Sequence, residues 1–242
     1  MIENKNMSKK KLNGVTLLGI DCINLDRLNL AMEICQKDFE FADVKILSSL
    51  NSDKIKNITK IKAIKSLEDY SLFAIRDLDK YVNTPYVLIV QYDGFILNPS
   101  AWSDEFLKYD YIGAPWLVAD WSVKNFDFPR ELIGKYVVGN GGFNLRSKKL
   151  LSLSSELYRK GELKRYNPED VSICVYYREL FESYGMKFAP VELAKQFSYE
   201  AEDDKNYSRD GQFGFHGLKW TDISKWLKAN PGYNIDNTIS KD

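Results

Sequence analysis

The sequence predicts one α/β domain, with a central, mostly parallel sheet, helices on both faces of that sheet and a small mixed second sheet. In the first half of the chain, short apolar runs alternate with helical patterns, which is typical of parallel strands joined by right-handed crossovers. From Tyr111 onward the pattern changes to short strands that are broken by Gly and Pro. With 242 residues, 44% of them hydrophobic, the chain is long enough to bury one sizeable core.

The first predicted elements form a β-α-β unit. Residues 15–20 are an apolar, β-branched run that predicts a buried strand. Leu28, Met32 and Cys35 then recur at helical spacing, and residues 44–47 form a second strand. The later predicted elements are a weak strand at residues 61–64, a helix at 66–81, a central strand at 86–90, and helices at 147–158 and 168–184. In an open α/β sheet of this kind, the ligand crevice lies outside the carboxyl ends of the strands.

The two ends of the chain are polar. We expect residues 1–13 to be a flexible tail, residues 14–230 to be the domain, and residues 231–242 to be a second tail. Residues 1–13 resemble neither a signal peptide nor an anchor, and no apolar stretch approaches the roughly 20 residues that span a bilayer. A cytoplasmic protein without a transmembrane segment is therefore expected. Basic and acidic residues both number 34, which argues against a nucleic-acid partner.

Gln91-Tyr92-Asp93-Gly94 follows the predicted central strand. A carboxylate at the end of a buried strand can hold a divalent cation, and such a cation is the usual means of binding a diphosphate. Asp-Gly between apolar runs is also a hairpin turn signal, and a metal-binding segment can contain such a turn. Asp21 ends the first predicted strand, so both carboxylates are expected at the same edge of the sheet.

Gly139-Asn140-Gly141-Gly142 is a second candidate segment. Glycines on both sides of Asn140 let the backbone approach a ligand and expose peptide N–H groups to it. The spacing matches neither the dinucleotide-binding pattern GxGxxG nor a phosphate loop that ends in Gly-Lys-Ser. A tight loop without a ligand explains the same residues.

Two further segments carry titratable side chains. Asn167-Pro168-Glu169-Asp170 has the residues of a helix start, and its carboxylates can also supply a general base at a cleft. His216 is the only histidine, which excludes any multi-histidine zinc site. A solitary histidine is more often structural, whereas the Gly- and Phe-rich surroundings of His216 favour a ligand contact.

Taken together, these segments resemble a family of glycosyltransferases with a GT-A-like fold, found in bacteria and large viruses. The resemblance covers residues 66–217 and rests on the order of five motifs. They are Gln-x-Asp-Gly at residues 91–94, Tyr-Asp-Tyr-Ile-Gly-Ala-Pro-Trp at 109–116, Gly-Asn-Gly-Gly-Phe at 139–143, Glu-Asp at 169–170 and Phe-His-Gly at 215–217. The resemblance implies a Rossmann-type GT-A domain, a nucleoside diphosphate sugar as donor and a glycan or other saccharide as acceptor, in a setting such as polysaccharide biosynthesis.

The resemblance also implies roles for individual residues. Asp170 is the expected catalytic base of an inverting transfer, with Glu169 as the second choice. Asp93 and His216 are the expected ligands of a divalent cation, Mn2+ or Mg2+. Trp116 is the expected acceptor platform, and the expected donor contacts are Asp21, Tyr70, Gln91, Asp93, Asn140, Gly141 and Gly142.

Gln91 departs from the better-known GT-A enzymes, in which an acid begins the Asp-x-Asp motif. Because the amide of Gln91 is neutral, a cation at this position has one negatively charged ligand fewer. If no cation binds, Lys or Arg side chains and helix N-termini must neutralise the diphosphate.

Two other functions remain open at this point. One is a catalytically inactive protein that binds a sugar or a nucleotide sugar on the same fold. The other is a nucleotidyltransferase, but such enzymes usually carry a Gly-rich basic loop after the first strand, where this chain has Asp21-Cys22-Ile23-Asn24. Residues 117–135 are expected to be either a mobile acceptor loop or a surface connection.

Overall fold

The structure is a computed structural model that describes residues 8–200, 211–233 and 235. Within these ranges no helix has both the length and the apolar composition needed to cross a membrane. The strands are β1 (Lys10–Ile20), β2 (Phe39–Ser48), β3 (Ile58–Lys60), β4 (Tyr86–Val90), β5 (Tyr111–Ile112), β6 (Pro115–Leu117), β7 (Tyr136–Val138), β8 (Phe143–Ser147), β9 (Ser198–Tyr199) and β10 (Gly214–Phe215). The α-helices are α1 (Leu25–Gln36), α2 (Leu67–Arg76), α3 (Asp120–Phe126), α4 (Lys148–Arg159), α5 (Glu169–Val171), α6 (Arg178–Ser183), α7 (Val191–Phe197) and α8 (Ser224–Ala229).

The central sheet has six strands in the order β3-β2-β1-β4-β8-β5. β1 pairs in parallel with β2 and β4, and β2 pairs in parallel with β3. β8 is antiparallel to both β4 and β5. The predicted α/β fold with a mostly parallel central sheet is confirmed. Because Phe143 at the start of β8 pairs with Val90 at the end of β4, the loop before β8 lies beside the segment after β4.

Side chains of the central strands alternate between two buried layers, as the two-residue period of a strand requires. Leu17 and Leu88 pack in the same core as helix α1. Leu18 and Val87 point to the opposite layer, where residues of α2 and α4 cover them. Burying one leucine in this way contributes about 1.5–3 kcal/mol. Helices therefore cover both faces of the sheet and leave its strand ends as the place for a site.

The predicted small second sheet is divided into two pairs of strands. β6 and β7 are antiparallel, whereas β9 and β10 are parallel. β10 also contacts the segment after β4, since Ile96 and Gly214 form an isolated antiparallel bridge. The late part of the chain is thereby attached beside the carboxyl end of β4.

Two predicted boundaries are displaced. The predicted tail of residues 1–13 overlaps β1, because residues 10–12 pair with residues 39–41 of β2. The predicted strand at residues 61–64 is wrong: β3 lies at Ile58–Lys60, where it pairs with residues 46–48 of β2. Residues 1–7 and most of the predicted tail at 231–242 lie outside the described residues.

Two predicted helices are interrupted. The helix predicted at residues 66–81 ends at Arg76, and a 3-10 turn follows at Leu78–Tyr81. The helix predicted at 168–184 consists of α5, a π-helical turn at Ser172–Tyr176 and α6. A π turn adds one residue to the helical repeat, and the apolar spacing of the sequence does not reveal it.

Candidate active site

The carboxyl edge of the central sheet brings three distant segments together. The backbone N–H of Gln91, which follows β4, donates to the carbonyl of Gly142 at 2.9 Å. The backbone N–H of Gly217 donates to the carbonyl of Asp93, also at 2.9 Å. These two bonds place both the loop before β8 and the segment around His216 beside the chain that follows β4.

Asn140 shapes the loop of residues 139–142, which we call the Gly loop. Its φ of 75° lies in the left-handed region, which Asn adopts more readily than most residues. Its Oδ1 accepts hydrogen bonds from the backbone N–H groups of Gly142 and Phe143 at 2.8 and 2.9 Å. Its carbonyl accepts the hydroxyl of Tyr111 at 2.6 Å. The Gly loop is therefore fixed by a fully buried side chain.

Two glycines of the Gly loop face titratable side chains. A Cβ on Gly141 would lie 2.5 Å from Oε1 of Glu169 and 3.2 Å from Oδ2 of Asp170. A Cβ on Gly142 would lie 2.0 Å from Nε2 of His216. Because neither position has room for a side chain, the backbone itself approaches the acids and the imidazole. The predicted segments around residues 93, 141, 170 and 216 thus meet at one edge of the sheet.

Glu169 belongs to a buried network. Its Oε1 accepts a hydrogen bond from Nη2 of Arg146 at 2.9 Å, and both side chains are almost completely buried. The Nε of Arg146 donates to Oδ1 of Asn144 at 2.8 Å, and Nδ2 of Asn144 donates to the carbonyl of Gly141 at 2.8 Å. The carboxylate of Glu169 therefore helps to hold the Gly loop on β8.

Asp170 has a different environment, although it is the next residue. Its side chain is half-buried, and its Oδ1 accepts only the backbone N–H of Val171, at 2.8 Å, among the hydrogen bonds of the described chain. Burial and the negative charges of Glu169 and Glu200 raise the pKa of Asp170 to about 7. A carboxylate that titrates near neutral pH is suited to accept a proton from a bound hydroxyl.

His216 is held between three polar side chains. Its Nδ1 lies 2.7 Å from Oε1 of Glu200, and its Nε2 lies 3.2 Å from Oε1 of Gln91 and 3.4 Å from Oδ1 of Asp93. Burial acts to lower the pKa of His216, but the carboxylates of Glu200 and Asp93 outweigh it and hold this pKa well above its usual value. Burial acts to raise the pKa of Asp93, but the imidazole holds it below its usual value.

Asp93 and His216 offer two ligands to a divalent cation. Oδ1 of Asp93 is buried and accepts no hydrogen bond from any described residue. Nε2 of His216 points toward that oxygen while Nδ1 is held by Glu200, the arrangement usual for a metal-bound histidine. In the described ranges no three His, Cys, Asp or Glu side chains are grouped to hold a metal. A cation here would complete its shell with further oxygen ligands, such as water and the phosphates of a bound substrate.

Tyr70 and Trp116 lie in the same network. The hydroxyl of Tyr70, on α2, is hydrogen-bonded to Gln91, and burial raises the pKa of that hydroxyl. The Nε1 of Trp116, on β6, donates to Oε2 of Glu200 at 2.7 Å. The indole lies against Gly139, where an added Cβ would approach it to 2.2 Å.

Asp21 lies at the end of β1, but its carboxylate is engaged within the protein. Oδ1 accepts the backbone N–H groups of Ile23 and Asn24 at 2.7 and 2.9 Å. Oδ2 accepts Nε of Arg27 at 2.8 Å, and Arg27 in turn covers the ring of Tyr92 at 3.8 Å. The predicted contact of Asp21 with a donor therefore stays a prediction, because the carboxylate already fixes the turn that begins α1.

Residues 118–135, within the predicted segment 117–135, form the connection between β6 and β7. They contain α3 and a 3-10 turn at Arg130–Leu132. Val118 and Phe128 are buried there in a small core of their own, together with Val171 of α5. The connection is thus packed against the helix that carries Asp170.

Sequence reasoning missed Asn144, Arg146 and Glu200. Arg146 leaves a signal, because a charged residue inside a strand run needs a buried partner. Glu200 leaves none, since only the pairing of β9 with β10 brings it beside His216.

The fold and the site define an α/β protein with paired carboxylates and a single histidine at the carboxyl edge of its central sheet. The chain belongs to the DUF5672 family, described as a protein of unknown function, whose match spans residues 54–216. That match includes the Gly loop and both groups of titratable side chains. Among curated proteins, no sequence matches the chain.

The solved structures that are similar to the chain include three glycosyltransferases. The galactosyltransferase LgtC, in complex with donor and acceptor sugar analogs, is 15% identical, with 83% of this chain and 86% of that chain covered and a TM-score of 0.47. A glycosyltransferase involved in glycosylation of the major capsid of PBCV-1 is 11% identical, with 90% and 99% covered and a TM-score of 0.48. The glycosyltransferase GlyE of Streptococcus pneumoniae TIGR4 is 12% identical, with 86% and 54% covered and a TM-score of 0.47.

Proposed function

We propose that this protein is a glycosyltransferase that moves a sugar from a nucleoside diphosphate sugar to a hydroxyl group of a glycan or other acceptor. The observation that carries the proposal is the arrangement of the Gly loop. Gly141 faces the half-buried carboxylate of Asp170, whose pKa is raised to about 7, and Gly142 faces His216 beside Asp93. The proposed base and the proposed diphosphate-binding pair thus lie against neighbouring residues of the same loop.

Asp170 is the base in this proposal, and Glu169 is not. Glu169 is almost completely buried in its ion pair with Arg146, so its carboxylate is held by a cation and has little access to an acceptor. Asp170 has no such cation at hydrogen-bond distance in the described structure, and its pKa is close to the pH at which it must work.

The transfer is a single displacement. The acceptor oxygen forms a bond to the anomeric carbon while the bond from that carbon to the diphosphate oxygen breaks. The acceptor proton passes to Asp170, and the electron pair of the broken bond leaves with the nucleoside diphosphate. An attack from the side opposite the leaving group inverts the anomeric configuration.

The donor is bound along the carboxyl edge of the sheet. Asn140, Gly141 and Gly142 border the sugar, while Tyr70 and Gln91 lie beside it. Trp116 supplies a flat apolar surface for an acceptor saccharide. An acceptor of this kind is consistent with a role in polysaccharide biosynthesis.

Asp93 and His216 would hold a divalent cation, Mn2+ or Mg2+. Such a cation supplies positive charge for the diphosphate. Nε2 of His216 and Oδ1 of Asp93 face each other at 3.4 Å. The two side chains also orient the diphosphate of the donor.

A panel of nucleotide sugars, tested with and without Mn2+, decides the proposal. A bound donor raises the melting temperature by mass action, and a competent enzyme then releases nucleoside diphosphate, by transfer or by slow hydrolysis. Stabilisation without release in any acceptor mixture would identify an inactive binding protein. Absence of stabilisation by every nucleotide sugar would reject the proposal.

A further inference from the structure

Glu200 is placed beside His216 by strand pairing. Ser198 pairs with Gly214 and Tyr199 pairs with Phe215 in the parallel β9–β10 sheet. Glu200 and His216 are the next residues on each strand, and the backbone N–H of His216 donates to the carbonyl of Tyr199 at 3.0 Å. Their side chains therefore start from neighbouring positions of a fixed register.

The carboxylate of Glu200 accepts hydrogen bonds from three parts of the chain. Oε1 lies 2.7 Å from Nδ1 of His216. Oε2 accepts Nε1 of Trp116 at 2.7 Å and is also hydrogen-bonded to Nδ2 of Asn140. The Glu200 side chain is only 20% exposed, so water has limited access to these bonds.

Only a carboxylate satisfies this arrangement. Glu200 presents two oxygens to three N–H donors, whereas an amide has one oxygen and adds two donors of its own. A glutamine at this position would leave either His216 or the Trp116–Asn140 pair facing an N–H group. A buried donor without an acceptor is destabilising, so the neighbours would rearrange.

We propose that Glu200 is a positioning residue, which holds His216, Trp116 and the Gly loop in fixed relation to one another for transfer. The geometry of this inference rests on the three contacts of Glu200. Its consequence for transfer rests on the proposed function. Because Glu200 accepts the Nδ1 proton of His216, the Nε2 edge of the ring is directed at Asp93 and Gln91. The same carboxylate fixes Trp116 on the acceptor side.

Because His216 is the only histidine in the chain, an imidazole signal in an NMR spectrum reports directly on its contact with Glu200. In proton–nitrogen NMR spectra, the Nδ1–H of His216 should give one strongly downfield imidazole signal, and Trp116→Phe identifies the Trp116 indole N–H signal by its loss. In Glu200→Gln, both signals should shift or broaden together. Glu192→Gln is the control, because Glu192 is an exposed residue that pairs only with Lys195, at 3.3 Å, in the described structure.

Movement of one signal alone, or of neither, overturns the inference. If Glu200→Gln does not fold, Glu200→Asp replaces it, since the shorter carboxylate cannot reach all three donors and should shift at least the His216 signal. An unchanged spectrum in that variant counts equally against the inference.

Turnover supplies the functional test. With a nucleotide sugar that the panel identifies, Glu200→Gln should lower the rate about 10- to 100-fold, while Glu192→Gln keeps the wild-type rate. A wild-type rate in Glu200→Gln overturns the positioning role. If the wild-type protein turns over no nucleotide sugar, the proposed function fails, and the spectra still decide whether Glu200 joins the three segments.

Discussion

Two adjacent carboxylates at the start of α5 have different surroundings, and we propose different tasks for them. Glu169 is fixed by Arg146, and Asp170 faces the Gly loop. Replacing Asp170 by Asn should lower transfer about 10²- to 10⁴-fold and leave donor affinity nearly unchanged. Rates with the identified donor and thermal shifts with the same donor measure the two effects. Asp53→Asn, an exposed position, is the matched control, and substantial turnover in Asp170→Asn would remove Asp170 from the base role.

The pH dependence of transfer follows from the same carboxyl group. A base works only after it has lost its proton, and the pKa of Asp170 is raised to about 7. The value of kcat/KM should therefore fall about tenfold per pH unit below pH 7 and level off above it. A pH series in overlapping buffers measures this fall in kcat/KM. A profile that stays flat down to pH 5 would show that another group accepts the proton.

The same shift makes stability depend on pH. The pKa of Asp is about 3.9 in an unfolded chain and about 7 for Asp170 in the folded protein. Between these values the folded state binds a proton that the unfolded state does not, so this group lowers stability as pH rises from about 4 to 7. Thermal unfolding should show Asp170→Asn to be more stable than wild type at pH 8 and equal to it near pH 4. A variant that is less stable at pH 8 would contradict the shift.

At the scale of elements, the Gly loop has little room for added side chains. A methyl group on Gly142 would lie 2.0 Å from Nε2 of His216, so Gly142→Ala must displace the imidazole. We expect about a 100-fold loss of transfer, since a displacement near 1 Å has that effect on an active site. Gly14→Ala is the control, because its new Cβ would be 3.9 Å from the nearest atom, in Pro85. Equal activity of the two variants would show that His216 has no part in transfer.

Three of the six strands of the central sheet, β1, β2 and β4, could be predicted because each contains a short apolar run. β4 was predicted at its observed bounds, since Tyr86–Val90 is continuously apolar and buried between two helical layers. The break between α5 and α6 could not be predicted, because the π turn changes the hydrogen-bond pattern and leaves the apolar composition unchanged. Lys10–Leu12 lengthen β1 for a similar reason, as pairing with β2 overrides their polar character.

The site residues that stand in a short sequence motif could be predicted. A residue that reaches the site only through long-range strand pairing could not. Asp93, Asn140, Asp170 and His216 stand in short distinctive segments, and the structure places them at one edge. Glu200 stands in no such segment, and its three contacts all join it to residues at least 16 positions away. Long-range contacts of this kind depend on strand register, which the sequence does not state.

At the scale of the whole molecule, aromatic packing attaches the late segment to the central sheet. The ring of Phe213 is completely buried, and it packs against the rings of Phe39, Trp102, Phe106, Phe143 and Phe197. Phe213→Ala should lower the free energy of unfolding by about 3–5 kcal/mol, and Phe213→Leu by less. Urea unfolding measures both. Tyr184→Ala, at a half-exposed ring, should cost far less, and an equal cost would show that the cluster is not where the stability lies.

The insertion of β10 between β9 and the chain after β4 has a consequence for synthesis. When residue 200 has left the ribosome, all six strands of the large sheet already exist, but Asp93 still lacks the imidazole that faces it. Domains generally fold as units, and such a nascent chain also lacks Phe213 and Phe215 of the buried core. The segment that brings His216 to Asp93 therefore also completes the aromatic core, so the core and the candidate site depend on the same late part of the chain.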